Sequence, residues 1–322
     1  RNTPALAFED SNNSKRADMK AKICALALTA ALTAPAQASI ASLDLGNYQL
    51  TATYLLPQVT ASEASAVTWN WDTDTLFVIG DEGDYVVEVD KQGNQLSKMN
   101  LFGFDDTEGL TYVGNNQFVI VEERLQNIYL FDYNANGAVG RSFLQSVSIG
   151  PTTSNIGLEG ISYDPLNGSF VLVKEKVPQA VYSASVDFNT GSATVTELVT
   201  RENLFSQLFG TQDLAEVQVL STVSSLVGTS FQDHLLILSQ ETPLLLHTTR
   251  DGQVLGSFDL SAIGTDIEGL TIDSKGTLYL VGETPMLYVL TPTIAPVPEP
   301  ETYAMLLAGL GLIGFMRRRS QR

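Results

Sequence analysis

The sequence predicts an all-β fold, a five-bladed β-propeller of four-stranded antiparallel blades. Three observations predict it. A glutamate opening a short apolar strand recurs at Glu63, Glu108, Glu159, Glu216 and Glu268, at intervals of 45, 51, 57 and 52 residues, a range in which a period implies a propeller or solenoid. Each opening strand leads through a hairpin turn to a returning strand that closes on a second glutamate, pairing Glu63 with Glu82, Glu108 with Glu123, Glu159 with Glu175, Glu216 with Glu241 and Glu268 with Glu283. Each interval also holds about four strand signals separated by turn-forming residues.

In the first repeat the strand signals cover residues 66–71, 76–79, 86–89 and 96–101, with turns at Asp72-Thr73-Asp74 and Lys91-Gln92-Gly93-Asn94. The fifth repeat runs out after three strands, near Leu290. Residues 48–56 read as a strand with no blade of their own, so the N-terminal strand is expected to complete the last blade and close the ring. The one expected helix covers 201–209, where Leu204, Phe205, Leu208 and Phe209 form an apolar stripe and Gly210 offers a stop.

The segments flanking the propeller read as sorting elements. Residues 1–18 read as an upstream artefact and 19–38 as a secretory signal peptide, with Lys20 and Lys22 before an apolar run and Ala36-Gln37-Ala38 as the cleavage site. The propeller is expected over 39–292. A linker over 293–300 holds Val297-Pro298-Glu299-Pro300. The tail, 301–322, has an apolar stretch of 14 residues before Arg317, Arg318 and Arg319. That stretch is short against the roughly 20 residues that cross a bilayer comfortably, which suits a transient span. Cys24 lies in the signal segment, so the expected mature chain has no disulfide. Residues 39–296 carry 9 Lys and Arg against 31 Asp and Glu, a net charge of −22. Such a surface repels nucleic acid and anionic lipid and attracts cations.

In a hairpin the second strand returns to the end where the first began, so the two glutamates of each repeat are expected at one mouth of the central channel. Like charges about 4 Å apart repel by roughly 4 kcal/mol at an effective dielectric of 20. The acids must therefore point away, pair with Arg124, Lys174 and Lys176, or share a cation. Ringed carboxylate oxygens suit calcium. With only His234 and His247 available as nitrogen ligands, zinc and copper suit the chain poorly. The competing reading is that the glutamates satisfy backbone N–H groups of neighbouring blades. Asp132, Asn134, Asn136 and Gly137 begin like an EF-hand loop, but Phe143 stands at the twelfth position, so a turn is expected there. Asn167-Gly168-Ser169 is a glycosylation sequon by letters and a turn by context.

Asp106-Thr107-Glu108-Gly109-Leu110-Thr111-Tyr112 with 117–124, Gly157-Leu158-Glu159-Gly160-Ile161-Ser162-Tyr163 with 173–176, Leu238-Ser239-Gln240-Glu241, and Ile267-Glu268-Gly269-Leu270-Thr271-Ile272-Asp273 resemble the SdiA-regulated, YjiK-like family of bacterial propellers. The tail resembles a PEP-CTERM sorting signal of Gram-negative bacteria, which implies recognition and removal by an exosortase. The propeller resemblance implies five blades, an exported or envelope location and a calcium site. Carried over by position, the implied metal ligands are Glu108, Glu123, Glu159, Glu175, Glu241, Glu268 and Glu283. The fourth repeat, Asp213-Leu214-Ala215-Glu216-Val217, lacks the glycine, so Asp213 is the acid expected to point inward there. Glu63, Glu82 and Glu216 are weaker candidates. The expected function is a secreted calcium-binding interaction module at the cell surface or in the extracellular matrix, meeting a polysaccharide or a surface protein and lacking catalysis. The alternative is a metal-dependent hydrolase, lactonase-like or phytase-like, working at the acidic mouth.

Overall fold

The computed structural model describes Ile40 and residues 42–293. The signal segment, most of the linker and the tail lie outside the described residues. The first strand, β1 (Tyr48–Leu55), precedes the repeats. The first repeat supplies β2 (Ala64–Asn70), β3 (Thr75–Gly80), β4 (Tyr85–Val89) and β5 (Gln95–Phe102). The second supplies β6 (Thr107–Gly114), β7 (Gln117–Glu122), β8 (Asn127–Asp132), the short β9 (Ala138–Gly140) and β10 (Gln145–Ser148). The third holds β11 (Leu158–Asp164), β12 (Ser169–Lys174), β13 (Ala180–Asp187) and β14 (Ser192–Glu197). The fourth holds β15 (Glu216–Val219), β16 (Leu235–Ser239), β17 (Leu244–Thr248) and β18 (Val254–Asp259), and the fifth β19 (Ile267–Ile272), β20 (Leu278–Gly282) and β21 (Met286–Pro292).

These strands form five antiparallel sheets, the blades of a propeller. As the sequence predicts, β1 pairs antiparallel with β21 and becomes the outer strand of the fifth blade. The innermost strands β2, β6, β11, β15 and β19 neighbour one another in a closed ring. One element was not expected. β9 leaves the second blade and adds to β5 in parallel, giving the first blade a fifth strand.

Burial explains the strand order. The two strands nearest the axis are nearly continuous apolar runs, as in β3 (Thr-Leu-Phe-Val-Ile-Gly) and β16 (Leu-Leu-Ile-Leu-Ser), because both of their faces meet neighbouring blades. Outer strands such as β14 are polar and exposed. Each blade boundary is an apolar layer. Between the second and third blades, Val119, Val121, Ile128 and Val147 meet Leu158, Ile161, Phe170 and Leu172, each worth about 1.5–3 kcal/mol on burial.

The glycine of the repeat permits this closeness. A Cβ on Gly160 would lie 2.5 Å from the Cα of Glu216, and one on Gly269 2.9 Å from the Cα of Ala66, so any larger side chain forces neighbouring blades apart. The threonine has its own task. Thr68 Oγ1 accepts the N–H of Tyr112, Thr111 Oγ1 that of Tyr163, Ser162 Oγ that of Val219, and Thr271 Oγ1 that of Trp69. In the fourth blade Gln218 holds the same position and accepts from the Thr271 hydroxyl at 3.0 Å. At the opposite end of the inner strands, Lys91 bridges to Asp273 of the preceding blade and Arg250 to Asp164.

The helix is shorter than expected. α1 spans Leu204–Phe209 and ends at Gly210 in the left-handed region (φ 73°). Residues 201–203 fall outside it because Asn203, at φ 51°, gives its side-chain oxygen to the N–H of Gln179 and caps nothing. Asn136 and Gly137 form a turn, and Asn167 is bound within its own turn through Asp164 and Ser169.

Candidate functional site

Register decides which residues reach the mouth. The N–H of Glu123 binds the carbonyl of Asp106, that of Glu283 binds Asp266, that of Glu175 binds Gly157 and that of Asp81 binds Glu63. Asp81, not Glu82, is therefore the first-blade counterpart of Glu123, Glu175 and Glu283. In the same frame Gly109 faces Val121, Gly269 faces Val281, Ala66 faces Ile79 and Glu216 faces Leu238. Glu216 thus stands in the glycine position of the repeat, and Ala215 and Ser65 occupy the positions held elsewhere by Glu108, Glu159 and Glu268.

Three of the five inner strands accordingly place a glutamate at the mouth. Buried Glu216 turns one carboxylate oxygen onto the N–H of Val217 at 2.8 Å, behind Gly160. Asp213 is also buried and spent internally, accepting the Ser239 hydroxyl and the N–H groups of Gln240 and Glu241. Glu241 reaches Lys176 at 2.7 Å. Gln240, just after β16, donates to Glu268 at 2.5 Å and to Glu283 at 3.4 Å.

Glu123, Glu159 and Glu175 come together, with one carboxylate oxygen from each lying within 4.8 Å of the others. Glu123 is buried. One of its oxygens accepts the N–H of Gly157 at 2.6 Å, while Oε2 has no hydrogen-bond partner. Glu175 Oε2 is likewise buried and unpartnered, its other oxygen meeting Lys176. A buried carboxylate oxygen without a donor is costly. A second trio within the same spacing, Glu63, Asp81 and Glu82, lies in more open surroundings.

Of the three cations expected to pair with the repeat glutamates, only Lys176 does so. Arg124 Nη2 pairs with Asp106 at 2.7 Å and Lys176 joins Glu175 to Glu241. Lys174 instead turns its ammonium onto backbone carbonyls of 176–178 and forms no ion pair, acting on Glu175 and Glu123 only from a distance. The compensation is incomplete, and several of the acids are pushed above the ordinary carboxylate range. Burial, then the charges of Asp106 and Asp81, push Glu108 up to about 8. Burial, then the neighbouring Asp106 carboxylate and the charge of Glu175, push Glu123 up to about 8. Burial and the charges of Glu108 and Glu283 push Glu268 up to about 9. Glu159 lies well above the carboxylate range through burial and the charges of Glu108, Glu123, Glu175 and Glu268. His234 and His247 lie outside this cluster and bond each other at 2.9 Å.

The family described as SdiA-regulated matches residues 41–291, the whole propeller. The chain belongs to the SdiA-regulated family. The PEP-CTERM protein-sorting motif matches 296–320, so this SdiA-regulated propeller carries a signal for export and cell-envelope sorting that implies recognition by an exosortase. No helix among the described residues is long and apolar enough to cross a membrane. Solved structures similar to the SdiA-regulated chain include the WD40 β-propeller domain of Doa1 (10% identity, 76% of this chain and 96% of that one, TM-score 0.46). Virginiamycin B lyase from Staphylococcus aureus is another (12% identity, 74% and 69%, TM-score 0.40). A third is the Cps50 (Swd1) β-propeller domain of Myceliophteria thermophila (14% identity, 72% and 65%, TM-score 0.40).

Proposed function

We propose that this exported propeller binds calcium at the channel mouth and acts as an interaction module of the cell surface or extracellular matrix, binding its partner rather than turning over a substrate. The observation that carries the reading is the pair of buried, unpartnered oxygens, Glu123 Oε2 and Glu175 Oε2, within the Glu123, Glu159 and Glu175 cluster. Oxygens that share one calcium at 2.3–2.6 Å lie at most about 5 Å apart, and the cluster meets that limit. Its donors are all carboxylate, which favours a hard cation over zinc. Glu108 and Glu268, pushed up by burial and by neighbouring acids, stand around it, and calcium would supply the compensation that Arg124 and Lys176 supply only in part. Those two cations are already paired with acids, which fits a phosphate substrate poorly.

Calorimetric titration of the EDTA-treated protein with calcium, using magnesium as control, tests the metal. Selective calcium binding that Glu123→Gln weakens and Glu241→Gln leaves nearly intact is expected. Equal binding by wild type and Glu123→Gln would overturn the assignment.

A further inference from the structure

The strand directions place an unusual set of side chains on the mouth face. Inner strands begin there, second strands end there and fourth strands return there. Phe102 is the last residue of β5. Phe143 follows β9, which runs parallel to β5, and its ring lies over Gly140, the register partner of Phe102. Phe209 closes α1 in the connection from β14 to the start of β15. Its neighbour Gly210 accepts the hydroxyl of Thr242, in the mouth-side turn between β16 and β17. These are all the exposed phenylalanines among the described residues, 60%, 87% and 40% accessible, and all three share the face of the acidic mouth. Leu208 is exposed beside Phe209. Val177, 76% accessible in the β12–β13 loop, adopts φ 48°, a conformation costly for a β-branched residue. The loop is held by Lys174 through its carbonyls and by Gln179 through Asn203 and Thr211.

The charge on the same face is one-sided. Among the described residues, the mouth's ion pairs involve Arg124, Arg141 and Lys176, beside the second, third and fourth blades. Glu63, Asp81, Glu82, Glu268 and Glu283, of the first and fifth blades, take part in none. Exposed apolar patches on monomers mark interaction sites, and here the centre beside the patches is acidic. We propose that the mouth face docks a protein whose surface presents lysine or arginine side chains to Glu63, Asp81 and Glu82 and apolar side chains to Phe102, Phe143, Leu208 and Phe209. The proposal rests on the interaction-module reading above and narrows its partner to a basic, amphipathic protein surface. An acidic polysaccharide or anionic membrane would be repelled by the mouth. A second copy docked face to face would oppose two acidic mouths.

The test uses three labelled peptides as probes: one of lysine, leucine and serine with the leucines on one helical face, one with glutamate replacing lysine, and one with serine replacing leucine. Binding to the purified protein is read by fluorescence anisotropy. The lysine–leucine peptide is expected to bind best. Phe143→Ser with Phe209→Ser, and separately Glu63→Gln with Glu82→Gln, should each weaken it about tenfold or more, and added salt should weaken it further. Equal affinity for the glutamate peptide, no binding of any probe at millimolar concentration, or unchanged affinity in either double variant overturns the proposal. So does a dimer that the phenylalanine substitutions dissolve, because it would assign the face to self-association. The substituted side chains are exposed or outside the Glu123, Glu159 and Glu175 cluster, so each variant should keep its calcium-induced rise in Tm. Loss of that rise in wild type with peptide binding intact would remove the metal and leave the docking face.

Discussion

Thr111 Oγ1 accepts the backbone N–H of Tyr163 at 2.9 Å across the boundary between the second and third blades. The bond is one of four hydroxyl-to-N–H links that tie the inner ring, with Gln218 standing at the fifth position. Thr111→Val keeps the shape and leaves that N–H without its partner. The cost of an unsatisfied buried donor is about 1–3 kcal/mol. Urea denaturation should show that loss for Thr111→Val and a much smaller one for Thr111→Ser. Equal stability of the valine variant would reduce the hydroxyl ring to a packing feature.

A second junction closes the ring between the first and fifth blades. Lys91 lies 2.9 Å from Asp273, which is buried, and 2.6 Å from Asp74. Its ammonium also stands 5.9 Å from the Trp69 ring and 5.8 Å from that of Tyr279. Lys91→Met retains the stem and removes the charge, stranding the Asp273 carboxylate. Asp273 keeps the donors Lys275 N, Thr277 N and Tyr279 Oη, which limits the expected loss to about 2–4 kcal/mol. The loss should persist at high salt, as for a buried pair. A loss that salt abolishes would place the interaction at the surface.

The fold was legible because the repeat states it twice, once in its period and once in the strand missing from the last blade, which β1 supplies. The mouth was legible only in part. Pairing the nearest glutamates put Glu82 and Glu216 on the rim, whereas one-residue offsets give those places to Asp81 and Ala215. Asp106, Asp213 and Asp266 share one frame, and counting two residues on from Asp213 reaches Ala215. β9 left no sequence signal because its three residues gain their pairing from a different blade. Nothing in the local pattern of Lys174 shows that its ammonium braces the 176–178 backbone. The task of the repeat's threonine hydroxyl leaves no mark in the sequence, because the N–H it accepts lies on the next inner strand.

The mouth should make the metal-free protein sensitive to alkali. An ordinary glutamate titrates near 4.5, whereas Glu108 and Glu123 are pushed up to about 8 and Glu268 to about 9. Between those values the folded chain holds protons that the unfolded chain has released, so stability falls as pH rises. In EDTA, Tm should therefore decline from about pH 5 to about pH 9, and Glu268→Gln should flatten the decline. A Tm that rises across this window in EDTA, with no effect of Glu268→Gln, would contradict the buried, mutually repelling acids.

Lys176 is the internal competitor for a cation at this mouth. Its ammonium contacts Glu175 and lies 2.7 Å from Glu241, and both acids raise its pKa against the opposing effect of burial. A divalent ion that uses Glu175 must share that carboxylate with a fixed positive charge a few ångströms away. Lys176→Met removes the repulsion and leaves Glu123 and Glu159 untouched. Because Lys176 is partly exposed, solvent screening reduces the gain, and calcium affinity should rise about tenfold, not by the much larger factor expected in a dry interior. Calorimetry at neutral pH reads the change directly. Unchanged affinity would remove Glu175 from the ligand set, and weaker binding would make Lys176 the residue that positions it.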